Sequence, residues 1–218
     1  MALLKIIRNE HNQIGLWSLE ESPEELEQQI ALSELDREQL ERYTSRFRKR
    51  EFLAVRKLLT ELLGSYPEIK YDQLHRPFLS KSSLKISISH SRSLVAVILS
   101  ERPAGIDTEE TYRDITPIVG RFMTPAEIAW SSVHPDPEKA RVLCWSIKES
   151  VFKLMGAENV DFRTMISIDP VEAVNPGKAY VTFTMSGESV EIAVDYLFEQ
   201  NNVITWCEFP CPEREKEK

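Results

Sequence analysis

Gly105-Ile106-Asp107-Thr108-Glu109 is followed, forty residues on, by Trp145-Ser146-Ile147-Lys148-Glu149-Ser150-Val151-Phe152-Lys153. The first stretch reads as a strand. Side chains alternate faces there, so Asp107 and Glu109 leave the same side. The second reads as a helix, on which Glu149 and Lys153 stand one turn apart on one face. Where those faces meet, Asp107, Glu109 and Glu149 make an all-oxygen pocket for a hard divalent cation, with Lys153 beside it as a fixed positive charge. Magnesium usually takes one or two carboxylates and completes its shell with water and phosphate oxygens, so the set points to phosphate chemistry.

Working outward, helix and strand signals alternate along the chain. Leu3–Arg8 and Ile14–Leu19 read as a hairpin. Ser22-Pro23-Glu24-Glu25 carries a capping box with proline in the first turn, and Ser33 starts a second short helix. Phe47, Leu53, Ala54, Leu58 and Leu62 have helical spacing and stop at Gly64. Ile69–Tyr71 is a short strand, followed by a polar connection over Asp72–Pro77. Leu84–Ile88, Leu94–Leu99 and Gly105–Glu109 read as strands. Thr124-Pro125-Ala126-Glu127 repeats the capping signature. Pro137 opens a long helix that ends at Gly156, a natural C-cap. Ala179–Met185, Val190–Phe198 and Val203–Phe209 alternate as strands.

A long helix with antiparallel strands thus occurs in each half. The expected fold is α+β: two pseudo-symmetric lobes, each a long helix on a mainly antiparallel sheet, with the active site in the cleft between them. The seam is placed near Glu101–Ala104. This gives an N-terminal lobe over residues 1–103, a C-terminal lobe over 104–209 and a polar tail over 210–218.

Charge and composition narrow the function. The net charge of −8 disfavours general nucleic-acid binding, but it is uneven. Residues 10–41 hold ten acids against Arg37 alone. Residues 42–57 hold Arg42, Arg46, Arg48, Lys49, Arg50, Arg56 and Lys57 against Glu51 alone. That basic stretch is either a site for a polyanion or a solvated helix face. The longest apolar runs are too short to span a bilayer, so no membrane association is expected. The start, interrupted by Lys5 and Arg8, does not read as a signal peptide, which implies a cytoplasmic protein. Cys144, Cys207 and Cys211 lack zinc spacing and read as small apolar fillers in a reduced compartment. Seven glycines without a Walker loop or a Gly-x-Gly-x-x-Gly run disfavour the common nucleotide-binding classes.

The paired stretches resemble the signature of the Sfp-type 4′-phosphopantetheinyl transferases. In that family a glycine–aliphatic–aspartate–x–glutamate strand precedes a Trp-Ser-x-Lys-Glu-(Ala/Ser)-x-x-Lys helix by about forty residues. Arg76-Pro77 resembles the family's basic residue–proline step. Ile88-Ser89-His90-Ser91 resembles its Ser-His-Ser turn, and Arg50–Leu63 its arginine-bearing helix. Two positions depart from the pattern: Thr108 replaces an aliphatic residue, and His75 stands where glycine is common.

The resemblance implies a monomeric enzyme that moves the phosphopantetheine arm of coenzyme A to a serine of an apo acyl or peptidyl carrier protein and releases 3′,5′-ADP. It is expected to depend on magnesium, with manganese possible in its place. Asp107, Glu109 and Glu149 are the expected metal ligands, with Glu149 alternatively or additionally the base for the serine proton. Lys153 is expected to hold a diphosphate oxygen and to act in catalysis with Glu149. Arg50, Arg76 and His90 are expected to serve the 3′-phosphate, with Ser89 and Lys148 in the coenzyme site. Arg56 is expected either there or as a solvated helix residue. Trp145 and Phe152 read as core, and Met123 as apolar surface for the carrier. The competing readings are a hydrolase acting on coenzyme A or a nucleotide, and a non-catalytic module that binds coenzyme A or a carrier protein.

Overall fold

Serine and threonine caps open most of the helices, as their spacing requires. In the computed structural model, which describes residues 2–172 and 174–209, Leu3–Arg8 (β1) and Asn12–Ser18 (β2) form the first hairpin. Ser22 Oγ accepts the Glu25 N–H, and the Glu25 carboxylate accepts the Ser22 N–H, at the start of Pro23–Gln28 (α1). Ser33 caps Glu34–Arg42 (α2), and Ser45 caps Arg46–Leu63 (α3). The last of these ends at Gly64, whose φ of +68° is the left-handed conformation that glycine adopts freely.

Ile69–Tyr71 (β3) pairs with Pro77–Leu79 (β4), a strand that begins at the last residue of the expected polar connection and is not among the expected strands. Then come Lys85–His90 (β5), Leu94–Ser100 (β6) and Ala104–Glu110 (β7). Four helices follow: Val119–Phe122 (α4), Pro125–Ser132 (α5), Pro137–Met155 (α6) and Phe162–Met165 (α7). Ile166–Ile168 (β8), Gly177–Met185 (β9), Glu188–Glu199 (β10) and Asn202–Glu208 (β11) complete the described chain. The expected polar tail over 210–218 lies outside the described residues, as does Cys211.

Every ladder is antiparallel. One sheet runs β1-β2-β6-β5 and another β7-β11-β10-β9-β8. The class is therefore α+β with antiparallel sheets, as the sequence implies. Leu53, Leu58, Leu59 and Leu62 of α3 bury against Trp17, Val95, Val97 and Leu99 of the first sheet. Leu143, Ile147 and Val151 of α6 bury against Val181, Val194 and Val203 of the second. The sheets also meet each other. Ile14, Leu16, Leu94, Ala96 and Ile98 share a core with Ala104, Ile106, Ile204 and Trp206. Burying side chains of this size contributes about 1.5–3 kcal/mol each, so these interfaces dominate the stability.

β7 lies between two interfaces, and its alternation sorts its residues. Ala104 and Ile106 face the core between the sheets, which turns Gly105, Asp107 and Glu109 toward α6. At Gly105 the approach is so close that a Cβ would lie 1.9 Å from the Ser150 carbonyl oxygen and 2.7 Å from the Leu154 nitrogen. Both are backbone atoms and neither can turn aside. Gly105→Ala therefore forces strand and helix apart. The expected cost is about 1–3 kcal/mol, the range for overpacking, read as a lowered denaturation midpoint in urea. An unchanged midpoint would mean that this approach is not a constraint.

Candidate active site

The contact between β7 and α6 gathers the signature residues. Asp107 is buried, and its Oδ1 accepts from Lys153 Nζ at 2.8 Å and from Ser89 Oγ at 2.8 Å. Lys153 Nζ also reaches Ser89 Oγ at 3.0 Å and the Ile106 carbonyl at 3.1 Å. Ser89 arrives from β5, whose Ser87 Oγ accepts the Ile106 N–H at 3.2 Å, so the edges of the two sheets are joined beside the site. Glu109 Oε1 accepts from Trp145 Nε1 at 2.9 Å and pairs with Arg113 at 2.5 Å. Trp145 packs its ring on Phe122 and Phe162, as a core residue does, while its N–H serves the site. Thr108 is buried on the other face, away from the acids.

Glu149 completes the cluster electrostatically. Burial pushes its carboxyl up to about 7, and the negative charges of Asp107 and Glu109 add to that push against the pull of Lys153 and Arg113. Among the described residues no three His, Cys, Asp or Glu side chains stand together as a ready metal cage. The physical reason is that Asp107 turns to Lys153 and Ser89, and Glu109 to Arg113 and Trp145. The donor set nevertheless fits a hard divalent cation: Asp107 Oδ2 is buried with no partner among the described residues, and Glu149 is near enough to feel the negative charges of Asp107 and Glu109.

A cavity of about 1040 Å³ opens beside Lys153, lined on one side by Arg76, Lys85, Ile86 and Ile88 and on the other by Phe152 and Gly156. Arg76 donates to Asp72 Oδ2 at 2.7 Å and to the Gly156 carbonyl at 3.1 Å. The turn that delivers it has His75 at φ +58°, the left-handed conformation anticipated by the family's glycine there. His90, exposed at the end of β5, has Nδ1 2.6 Å from Glu51 Oε1.

Four expectations meet a different environment. Lys148 is fully buried. Its Nζ lies within 2.9 Å of the Phe122, Phe162 and Ile166 carbonyls and of Glu127 Oε2. Its place in the coenzyme site is corrected to a structural one, because its side chain has no surface open to a ligand, whereas that of Lys153 is 26% exposed. Burial lowers its pKa, and Glu127 opposes that. Arg56 is buried too, donating to Asp36 Oδ1 at 2.7 and 3.1 Å and stacking 3.4 Å over the Phe52 ring, so it is not a solvated helix residue. Arg50 turns to the Arg92 carbonyl, and Arg48 is the basic residue that joins His90 at Glu51. Met123 is fully buried and offers no surface to a partner. Sequence places Arg48 and Glu51 only within the basic stretch of residues 42–57, since their link to His90 joins residues about forty positions apart.

Residues 103–207 match the family model described as the 4′-phosphopantetheinyl transferase superfamily. The chain is also similar to 4′-phosphopantetheinyl transferase AcpT from two strains of Escherichia coli. Each is 29% identical over 162 residues, which is 66% of this chain and 82% of the relative.

Lys148→Met removes the partner of a buried Glu127. Its expected cost is about 3–5 kcal/mol of stability, the range for breaking a buried pair. Coenzyme A affinity measured by calorimetry at a temperature where the variant is folded should hold. A selective loss of affinity at full stability would return Lys148 to the ligand site.

Proposed function

We propose that this chain, whose residues 103–207 match the model of the 4′-phosphopantetheinyl transferase superfamily, moves the phosphopantetheine arm of coenzyme A to a serine of an apo acyl or peptidyl carrier protein. The observation that supports the reading is the Asp107–Lys153 pair, with Glu149 close enough to feel Asp107 and Glu109, beside a cavity that Lys153 lines and that is large enough for a nucleotide-sized ligand. In the proposed division of labour, residues 1–103 supply the nucleotide end of the site and residues 104–209 the phosphate chemistry. The enzyme is proposed to work as a cytoplasmic monomer. Among the described residues no helix is long and apolar enough to cross a membrane.

Chemically, the serine oxygen forms a bond to the β-phosphorus, the bond from that phosphorus to the bridging oxygen breaks, and 3′,5′-ADP departs with the bridging oxygen. Asp107, Glu109 and Glu149 would hold magnesium, or manganese in its place. When bound, the ion supplies positive charge to offset what builds on the diphosphate. Lys153, already fixed by Asp107, Ser89 and the Ile106 carbonyl, presents a point charge to a diphosphate oxygen. Ser89 orients both members of that pair. Glu149 makes no ion-pair contact within 4 Å among the described residues. It either completes the oxygen set or takes the serine proton. Arg76 and His90 are assigned to the 3′-phosphate.

Purified protein, magnesium, coenzyme A and an apo carrier should yield a carrier heavier by one phosphopantetheine in mass spectrometry, and chelation should stop it. Release of an ADP-type product without carrier modification would favour a hydrolase, and binding without product a non-catalytic module. Asp107→Ala and Glu149→Gln should each lower turnover by about a hundredfold or more, the scale for lost electrostatic stabilisation. Wild-type rates in both would refute the site.

Arg76→Ala should raise KM for coenzyme A more than for dephospho-coenzyme A, which lacks the 3′-phosphate. Equal losses would remove Arg76 from that role.

A further inference from the structure

Glu51 is the one acid among the seven bases of residues 42–57, and it is 4% exposed. Its Oε2 accepts from Arg48 at 3.2 Å. Its Oε1 lies 2.6 Å from His90 Nδ1, an ion-pair approach whose N–H is not aimed for a hydrogen bond. A buried carboxylate is costly unless paired, and both partners here remain partly in solvent. The Arg48 side chain is 59% exposed and that of His90 38%. Nothing in the reaction proposed above uses this acid.

The three residues also share space. Arg48, Glu51 and His90 all line two cavities, of about 510 and 450 Å³. The first includes Glu109 and Arg113 of the carboxylate cluster, and the second includes His75, the neighbour of Arg76. The trio therefore stands between the carboxylate cluster and the turn that delivers Arg76. A guanidinium and an imidazole ring brought this close repel when both are positive. One anion between and behind them offsets the repulsion. With Nδ1 engaged on α3, Nε2 is the ring nitrogen left for a ligand.

We propose that Glu51 is a positioning residue for the phosphate monoester of coenzyme A. It holds Arg48 and His90 side by side so that both meet the 3′-phosphate, and it adds Arg48 to Arg76 and His90 in that subsite. The inference deepens the transferase reading and rests on it.

The test measures steady-state transfer to an apo carrier with coenzyme A and with dephospho-coenzyme A. Glu51→Gln keeps the shape and removes the charge. It is expected to raise KM for coenzyme A about tenfold, with a much smaller change for dephospho-coenzyme A and the loss in KM rather than kcat. Arg48→Ala, at an exposed position, should give the same selective loss and guards against a folding defect in the buried variant. In a His90→Ala background, Glu51→Gln should add less than it does in the wild type, keeping only the share it exerts through Arg48.

An unchanged or lower KM for coenzyme A in Glu51→Gln, where His90→Ala raises it, overturns the role of Glu51 and leaves the transferase reading intact. Equal losses for both coenzymes make Glu51 a folding residue only and also overturn it. A wild-type protein that modifies no carrier removes the transferase reading beneath the inference, whereas one that accepts both coenzymes alike keeps that reading and overturns the inference.

Discussion

The close approach of β7 to α6 is the constraint from which the site follows. With no side chain at Gly105, the strand can lie against the Ser150 carbonyl, and that spacing lets Lys153 reach Asp107 at 2.8 Å. The other face of the strand is fixed by Ala104 and Ile106 in the core between the sheets. Shifting the register by one residue would bury the acids in that core and expose the apolar pair to α6. Packing and chemistry thus specify one register together. An ion pair at this depth gains from its surroundings only while its partners stay fixed. Ser89 and the Ile106 carbonyl hold Lys153 in place from β5 and β7.

Around that contact the protein sorts its charges by depth. Lys148 and Glu127 form a fully buried pair whose oxygens and protons all find partners, Glu127 also accepting the Thr124 and Ile168 N–H groups. The pair ties α5, α6, α7 and β8 together and fixes Phe122, on which Trp145 leans. Trp145 in turn holds Glu109. One residue on from Lys148, Glu149 is only half-buried and faces like charges, so its carboxyl sits near 7. Neighbouring residues on one helix therefore do opposite work, because a helix turns successive side chains by about 100°.

Much of this was legible in the sequence for reasons that are local. Ser22, Ser33, Thr124, Gly64 and Gly156 mark helix ends through hydrogen bonds and backbone conformations that need no distant partner. The alternation of β7 gave the shared face of Asp107 and Glu109. The short β4 and β8 were not legible, because three-residue strands carry too little pattern and exist through their partners. Lys148 and Arg56 were misplaced for a related reason. A long cationic side chain on a helix is usually exposed, and only the fold reveals the acid that draws it inside, Glu127 in one case and Asp36 in the other. His75 was the reverse: an unusual residue at a position of glycine, and the backbone there is indeed left-handed.

The uneven charge of the first sixty residues resolves in the same way. The acidic stretch folds back onto the basic helix: Glu24 takes Arg46 through two parallel bonds, and Asp36 takes Arg56 together with the Tyr66 hydroxyl. Part of the basic patch is thus neutralised within the fold, and it is narrower than the composition implies. Of the remaining bases, Arg48 is directed by Glu51 toward the cavity wall where His90 stands. A polyanion approaching a chain of net charge −8 is not drawn by the whole molecule. At ordinary salt, exposed charges farther than about 8 Å are screened, so capture depends on the few cations within reach of the cavity. Which bases the internal acids leave uncommitted is therefore what sets where an anionic ligand binds.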